Sequence, residues 1–191
     1  TLRSRGLGDV YKRQAINKAT QILSKGGLVS VKAETVYGLA CDPSNPQAIL
    51  RLYNLKNRPS SNPLIIHVNS LDMLKDIAEV NKITSKIINF FWPGPLTLIL
   101  PRKKNKKVLD FAVAGLNTIA VRMPASKIFL KLINKFGNPV AAPSANQSGY
   151  ISSTKASHVI ESFGEDIELV IDSGQSEYCL LYTSDAADEV S

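Results

Sequence analysis

Apolar positions recur along this chain in short blocks whose spacing switches between helical and extended. Ile16, Ala19, Ile22 and Leu23 fall on one helical face, which predicts a helix over residues 16–24 that Gly26-Gly27 stops. The run 28–31 is too short for a helix and reads as a buried strand; the polar stretch 32–35 and a second extended run, 36–41, follow it. Ala48, Leu52 and Leu55 give helical spacing over 47–54, and Pro43 and Pro46 suit its start. Residues 64–68 read as a strand and 71–78 and 82–91 as helices, with Trp92-Pro93-Gly94-Pro95 as a hard break. Strands are expected at 96–100, 118–122, 140–142 and 169–171. A helix at 128–136 ends at Gly137, and Thr154 is expected to N-cap another that runs to Phe163. Short strands and helices mixed in this way, without a repeat or a linker, define an α/β (α+β) single domain.

Composition leaves that picture intact. The 191 residues are 44% hydrophobic and 20% charged, an ordinary globular mixture that excludes a disordered chain, collagen or a disulfide scaffold. No apolar run approaches the roughly 18 residues that span a bilayer, and the N-terminus is too polar for a signal peptide. A soluble, cytoplasmic protein without a membrane partner is expected. The net charge of +7 is compatible with a polyanionic partner, but by itself speaks only to solubility and non-specific association.

The two ends alter the expected boundaries. Asp9-Val10-Tyr11-Lys12-Arg13-Gln14 back-translates to GATGTGTATAAGAGACAG, whose reverse complement, read one base in, encodes Cys179-Leu180-Leu181-Tyr182-Thr183-Ser184. Such coding belongs to a DNA fragment flanked by an inverted repeat, and the string resembles a transposon end used in fragment-library preparation. Residues 1–14 and 179–191 are therefore expected to be non-native, adapter-like sequence around a domain at 15–178 that stops before its last strand. The net charge is +7 with or without these ends. Without Cys179 only Cys41 remains, which excludes an intramolecular disulfide and fits a reducing compartment.

Four polar segments fall at strand or helix ends, where α/β proteins place their sites. Glu34-Thr35-Val36-Tyr37-Gly38 follows the first strand and by residue type alone spells a capped turn. Lys56-Asn57-Arg58-Pro59 sets a point charge and a guanidinium fork two residues apart, which suits a triphosphate or a solvated basic loop. Arg122 at a strand end can grip a carboxylate or phosphate, or lie on the surface. Pro143-Ser144-Ala145-Asn146, with Ser148-Gly149, offers small residues and neutral hydrogen bonds at another strand end, or an ordinary turn. His67 can assist proton transfer or pack in the core. Two His and one cysteine give no zinc spacing, and there is no P-loop or G-x-G-x-x-G. Residues 102–107 carry five cations and read as a basic loop without a partner, or as a phosphate-contacting patch.

In this order, the segments resemble the YrdC-like family of L-threonylcarbamoyl-AMP synthases. The likeness rests on residues 34–38 with Cys41-Asp42, Lys56 to Pro59, Asn62-Pro63-Leu64 through His67, Trp92-Pro93-Gly94-Pro95-Leu96-Thr97, Thr118 through Pro124, and Pro143 to Asn146 with Ser148-Gly149. It implies a twisted, open mixed sheet with surrounding helices and a basic concave face. It also implies that L-threonine, bicarbonate and ATP with Mg²⁺ give threonylcarbamoyl-AMP and pyrophosphate. Further proteins would transfer the group to the adenosine beside a tRNA anticodon. By the family pattern Lys56 and Arg58 are the catalytic pair and, with Ser144, Asn146 and Arg122, hold the ATP phosphates. Thr35, Tyr37, His67, Thr118 and Arg122 would line the threonine and nucleotide pocket, with no metal-ligating side chain identified. The chain departs from the pattern at Lys32-Ala33, where the family has Pro-Thr, and after Tyr178, where it has a further strand bearing Glu-Ser-Thr and then an Arg. The other reading is a non-catalytic module that binds double-stranded RNA or tRNA through its basic face.

Overall fold

The computed structural model describes the backbone of residues 2–175 and the side chains from residue 11 onward. Helix α1, Leu2–Ser24, begins well before residue 16, because periodicity registers only the part of a helix that buries a face. Ile16, Ala19 and Leu23 are buried whereas residues 11–14 are exposed. The helix thus runs through the boundary expected at residue 15, and the expected tail at 179–191 lies outside the described residues.

Strands β1, Val29–Lys32, and β2, Tyr37–Ala40, form an antiparallel hairpin. The last strand, β7 at Leu169–Ile171, lies parallel on the other edge of β1. The second sheet has β3, Ile66–His67, between β5, Thr118–Arg122, and β6, Val140–Ala141. Strand β4, Leu98–Pro101, pairs with the outer edge of β5. The single open sheet implied by the resemblance is therefore two hydrogen-bonded sheets. They are stitched together where β2 meets β6, through bridges Gly38↔Ser144 and Cys41↔Ala141. Parallel and antiparallel neighbours are mixed in both sheets.

Two apolar layers cover the strands. Strand residues alternate between them: Leu39, Ile66 and Ala141 face one cluster, Ala40 and Val140 the other, the two-residue period of a pleated strand. Helices α2, Pro46–Lys56, α3, Leu71–Ile77, α4, Lys82–Phe91, and α6, Ala156–Phe163, pack on the first face through Leu52, Leu74, Ile88 and Val159. Helices α1 and α5, Lys127–Phe136, cover the second through Leu23, Phe129 and Ile133.

Local chemistry sets the helix ends that matter for the site. Asn45 caps α2 by accepting from Gln47 N at 2.9 Å and Ala48 N at 3.2 Å, and Pro46 occupies the first turn, where no amide donor is needed. Asn57, left-handed at φ 49°, ends the helix between Lys56 and Arg58. Ser126 caps α5, and Gly137 at φ 78° ends it. Thr154 does not cap α6: the N-cap is Lys155, whose ammonium cannot accept a hydrogen bond, and the first turn has no side-chain cap.

The basic stretch at 102–107 is tied down. Lys103 Nζ donates to Lys75 O at 2.9 Å, Asn105 to Asp76 O at 2.8 Å, and Lys107 pairs with Asp76 at 2.6 Å, so the loop satisfies the C-terminal end of α3. The Arg102 side chain is buried and paired with Asp110. No helix among the described residues is long and apolar enough to cross a membrane.

Candidate active site

Two polar centres are built around Lys56 and Arg122. The first is built on Lys56. As the last residue of α2 its side chain is buried, and Nζ donates to the carbonyl oxygens of Ser144, at 2.6 Å, and Asn146. Ser148 N returns a bond to Lys56 O at 2.9 Å, so the helix end and the loop after β6 hold each other. The strands fix that loop in turn: Ala145 N donates to Tyr37 O at 2.7 Å and Leu39 N to Pro143 O at 2.8 Å. Burial, with the Arg58 charge second, lowers the Lys56 ammonium to about 8.

Arg58, half-buried, folds onto its own loop, with Nη2 donating to Asn62 Oδ1 at 2.7 Å and to Pro63 O at 2.9 Å. Tyr53 secures the same loop by donating to Asn62 O at 2.8 Å. Asn146 is buried with its amide nitrogen spent on Gln147 O, at 2.8 Å, and Tyr150 O, at 2.7 Å. Its Oδ1 is buried without a partner among the described residues.

Arg122 anchors the second centre at the end of β5. Its Nε donates to Gly94 O at 3.2 Å and its Nη2 to Glu34, so the loop after Trp92 and the β1–β2 turn both orient one guanidinium. The pair is nearly dry, with 12% of the Arg122 side chain and 5% of the Glu34 side chain exposed. His67 pairs in register with Arg122 and stacks on Phe129, ring centroids 4.8 Å apart. Burial first, and the Arg122 charge second, push the imidazole down to about 3, so His67 is neutral near pH 7.

The remaining predicted residues are less uniform. Thr35 sits half-buried in the hairpin turn. Tyr37 is fully buried and donates to Gly174 O at 2.8 Å, tying β2 to the segment after β7; burial raises its phenol above the ordinary value. Thr118 lies exposed at the far end of β5, four residues or roughly 13 Å from Arg122, so the structure does not bring it to the others. Glu34 was visible only as part of a motif; nothing in the spacing says that it neutralises Arg122, because the two meet only when β1 and β5 are brought together. The described residues hold no cluster of His, Cys, Asp or Glu suited to a metal.

The fold and these centres define a mixed α/β domain that gathers cations from separate strand and helix ends without a glycine-rich phosphate loop. A profile described as telomere recombination (Sua5, YciO, YrdC) matches residues 21–180, and the chain belongs to that family. It is 45% identical over 162 residues to the threonylcarbamoyl-AMP synthase of Pyrococcus abyssi, covering 84% of this chain and 47% of that protein. To the threonylcarbamoyl-AMP synthase of Buchnera aphidicola it is 34% identical, covering 78% of this chain and 86% of the relative. The crystal structure of Pyrococcus abyssi Sua5 complexed with L-threonine superposes with a TM-score of 0.81 at 44% identity, over 84% of this chain and 47% of that one. The chain thus spans about half the length of the first of these relatives.

Proposed function

We propose that the chain carries the synthase site of a threonylcarbamoyl-AMP synthase, which joins L-threonine, bicarbonate and ATP into threonylcarbamoyl-AMP with release of pyrophosphate. The observation that carries the reading is the union of Lys56 with Ser144 and Asn146: a buried ammonium, pinned by two carbonyls, in a family whose named relatives are synthases. In this reading the carbamate of threonine attacks the α-phosphorus and the bond to pyrophosphate breaks, so no protein nucleophile is required. Lys56 and Arg58 stabilise the charge that develops on the leaving phosphates. Arg122 holds a carboxylate or phosphate, with Thr35, Tyr37 and His67 on the wider pocket wall. The described residues supply no carboxylate cluster for Mg²⁺, so the ion would come with the triphosphate, and no residue is assigned to it.

The product would serve proteins that transfer threonylcarbamoyl to tRNA in the cytoplasm. RNA readout by the basic stretch at 102–107 gains nothing from the geometry, since Lys103 and Lys107 are engaged with α3. The test is pyrophosphate release by the protein given Mg-ATP, bicarbonate and L-threonine. Release should require threonine and should drop at least about hundredfold in Lys56→Ala, as expected where a group acts on developing charge. Release that ignores threonine, or survives Lys56→Ala, would contradict the proposal.

A further inference from the structure

Arg58 is held differently from the other ordered arginines. Arg51, Arg102 and Arg122 each pair with a carboxylate, whereas Arg58 has no carboxylate partner among the described residues. Its guanidinium rests on neutral oxygens of its own loop: Nε donates to Asn62 O at 3.2 Å, and Nη2 donates to Asn62 Oδ1 at 2.7 Å and to Pro63 O at 2.9 Å. Asn62 is itself fixed to α2. The buried Tyr53 donates to Asn62 O at 2.8 Å, Asn62 N donates to Pro59 O at 3.0 Å, and Arg58 N donates to Tyr53 O at 3.0 Å. Pro59 and Pro63 stiffen the turn further, since each fixes its own φ and restricts the residue before it. The helix that ends in Lys56 thus also secures the acceptors that orient Arg58, and the Arg58 charge is near enough to help lower the Lys56 ammonium.

From this we infer that Asn62 is a positioning residue for Arg58: it orders the guanidinium through neutral acceptors, so that an undiminished positive charge is in place before the triphosphate arrives. An arginine ordered in advance gives up less rotamer freedom when an anion binds. A carboxylate in place of the amide would order it equally well but offset its charge. The inference rests on the synthase reading for the identity of the anion and deepens it by naming what readies Arg58.

The experiment is equilibrium binding of ATP to the unsubstituted protein, to Asn62→Ala, to Arg58→Ala and to the double variant, with urea denaturation of each to report the fold. Asn62→Ala should weaken ATP about fivefold to tenfold, and should weaken it no further once Arg58 is alanine, because the amide acts only through the guanidinium. An Asn62 that merely supports the loop would lose affinity on both backgrounds. Asn62→Asp keeps the accepting oxygen, so it should hold the urea midpoint and still weaken ATP. Losses that add in the double variant, or either Asn62 variant binding ATP undiminished, overturn the inference and leave the synthase reading intact. Undiminished binding by Arg58→Ala removes the place given to Arg58 and this inference with it, and an unsubstituted protein that binds no ATP overturns the synthase reading as well.

Discussion

A buried neutral histidine makes the stability of this domain sensitive to acid. Burial holds His67 at about 3 against an ordinary 6.5, so between those values the unfolded chain binds a proton that the folded chain refuses. The contribution is complete above about 6.5 and is lost as pH falls through that window. His67→Gln, which does not titrate, should therefore lose less of its thermal midpoint between pH 7 and pH 5 than the unsubstituted protein; an identical loss would show that His67 is not the group involved. At this scale the sequence was informative where one residue carries the chemistry and silent where two distant ones share it. Lys56, Ser144 and Asn146 were legible as a set only through family likeness. The amide nitrogen of Asn146 is engaged by its own loop, which spacing alone does not reveal. The pairing of Glu34 with Arg122 has no signature in spacing at all.

Among the elements, α2 does most to deliver the site, since its C-terminal turn places Lys56 and its Asn57 cap turns the chain toward Arg58. Its N-terminus depends on Asn45, which accepts from two amides. Asn45→Ala should lower stability by about 1 kcal/mol, measured by urea denaturation, as for other lost N-caps. No change would mean that water replaces the cap without cost. Start and stop signals mark the beginning of α2 and the end of α5 correctly, because Pro46 and Gly137 act there through local geometry. They fail at α6, where Thr154 has the right chemistry but the N-cap falls one residue later, at Lys155. The short one-turn helix at Asp110–Val113 was also missed, since four residues carry no period to read.

At the level of the whole molecule, the alternation of apolar positions carries the fold class and most strands, because β2, β6 and β7 divide their residues between two cores and the other strands turn an apolar face to one of them. What it does not carry is strand order: the bridges that stitch β2 to β6, and so bring Ser144 beside Lys56, join residues about a hundred positions apart. The net charge of +7 likewise said little until its placement was known. Part of it is consumed in holding loops, as at Lys103 and Lys107, and part lies buried at Lys56 and Arg122. In the proposed reaction that buried charge faces a nucleotide and a carbamoylated amino acid. Its most direct test is to follow label from bicarbonate in the presence of ATP and L-threonine. Label should enter a nucleotide-linked product only when all three are present, with pyrophosphate formed in equal amount. ATP cleavage without threonine, or without capture of the label, would contradict it.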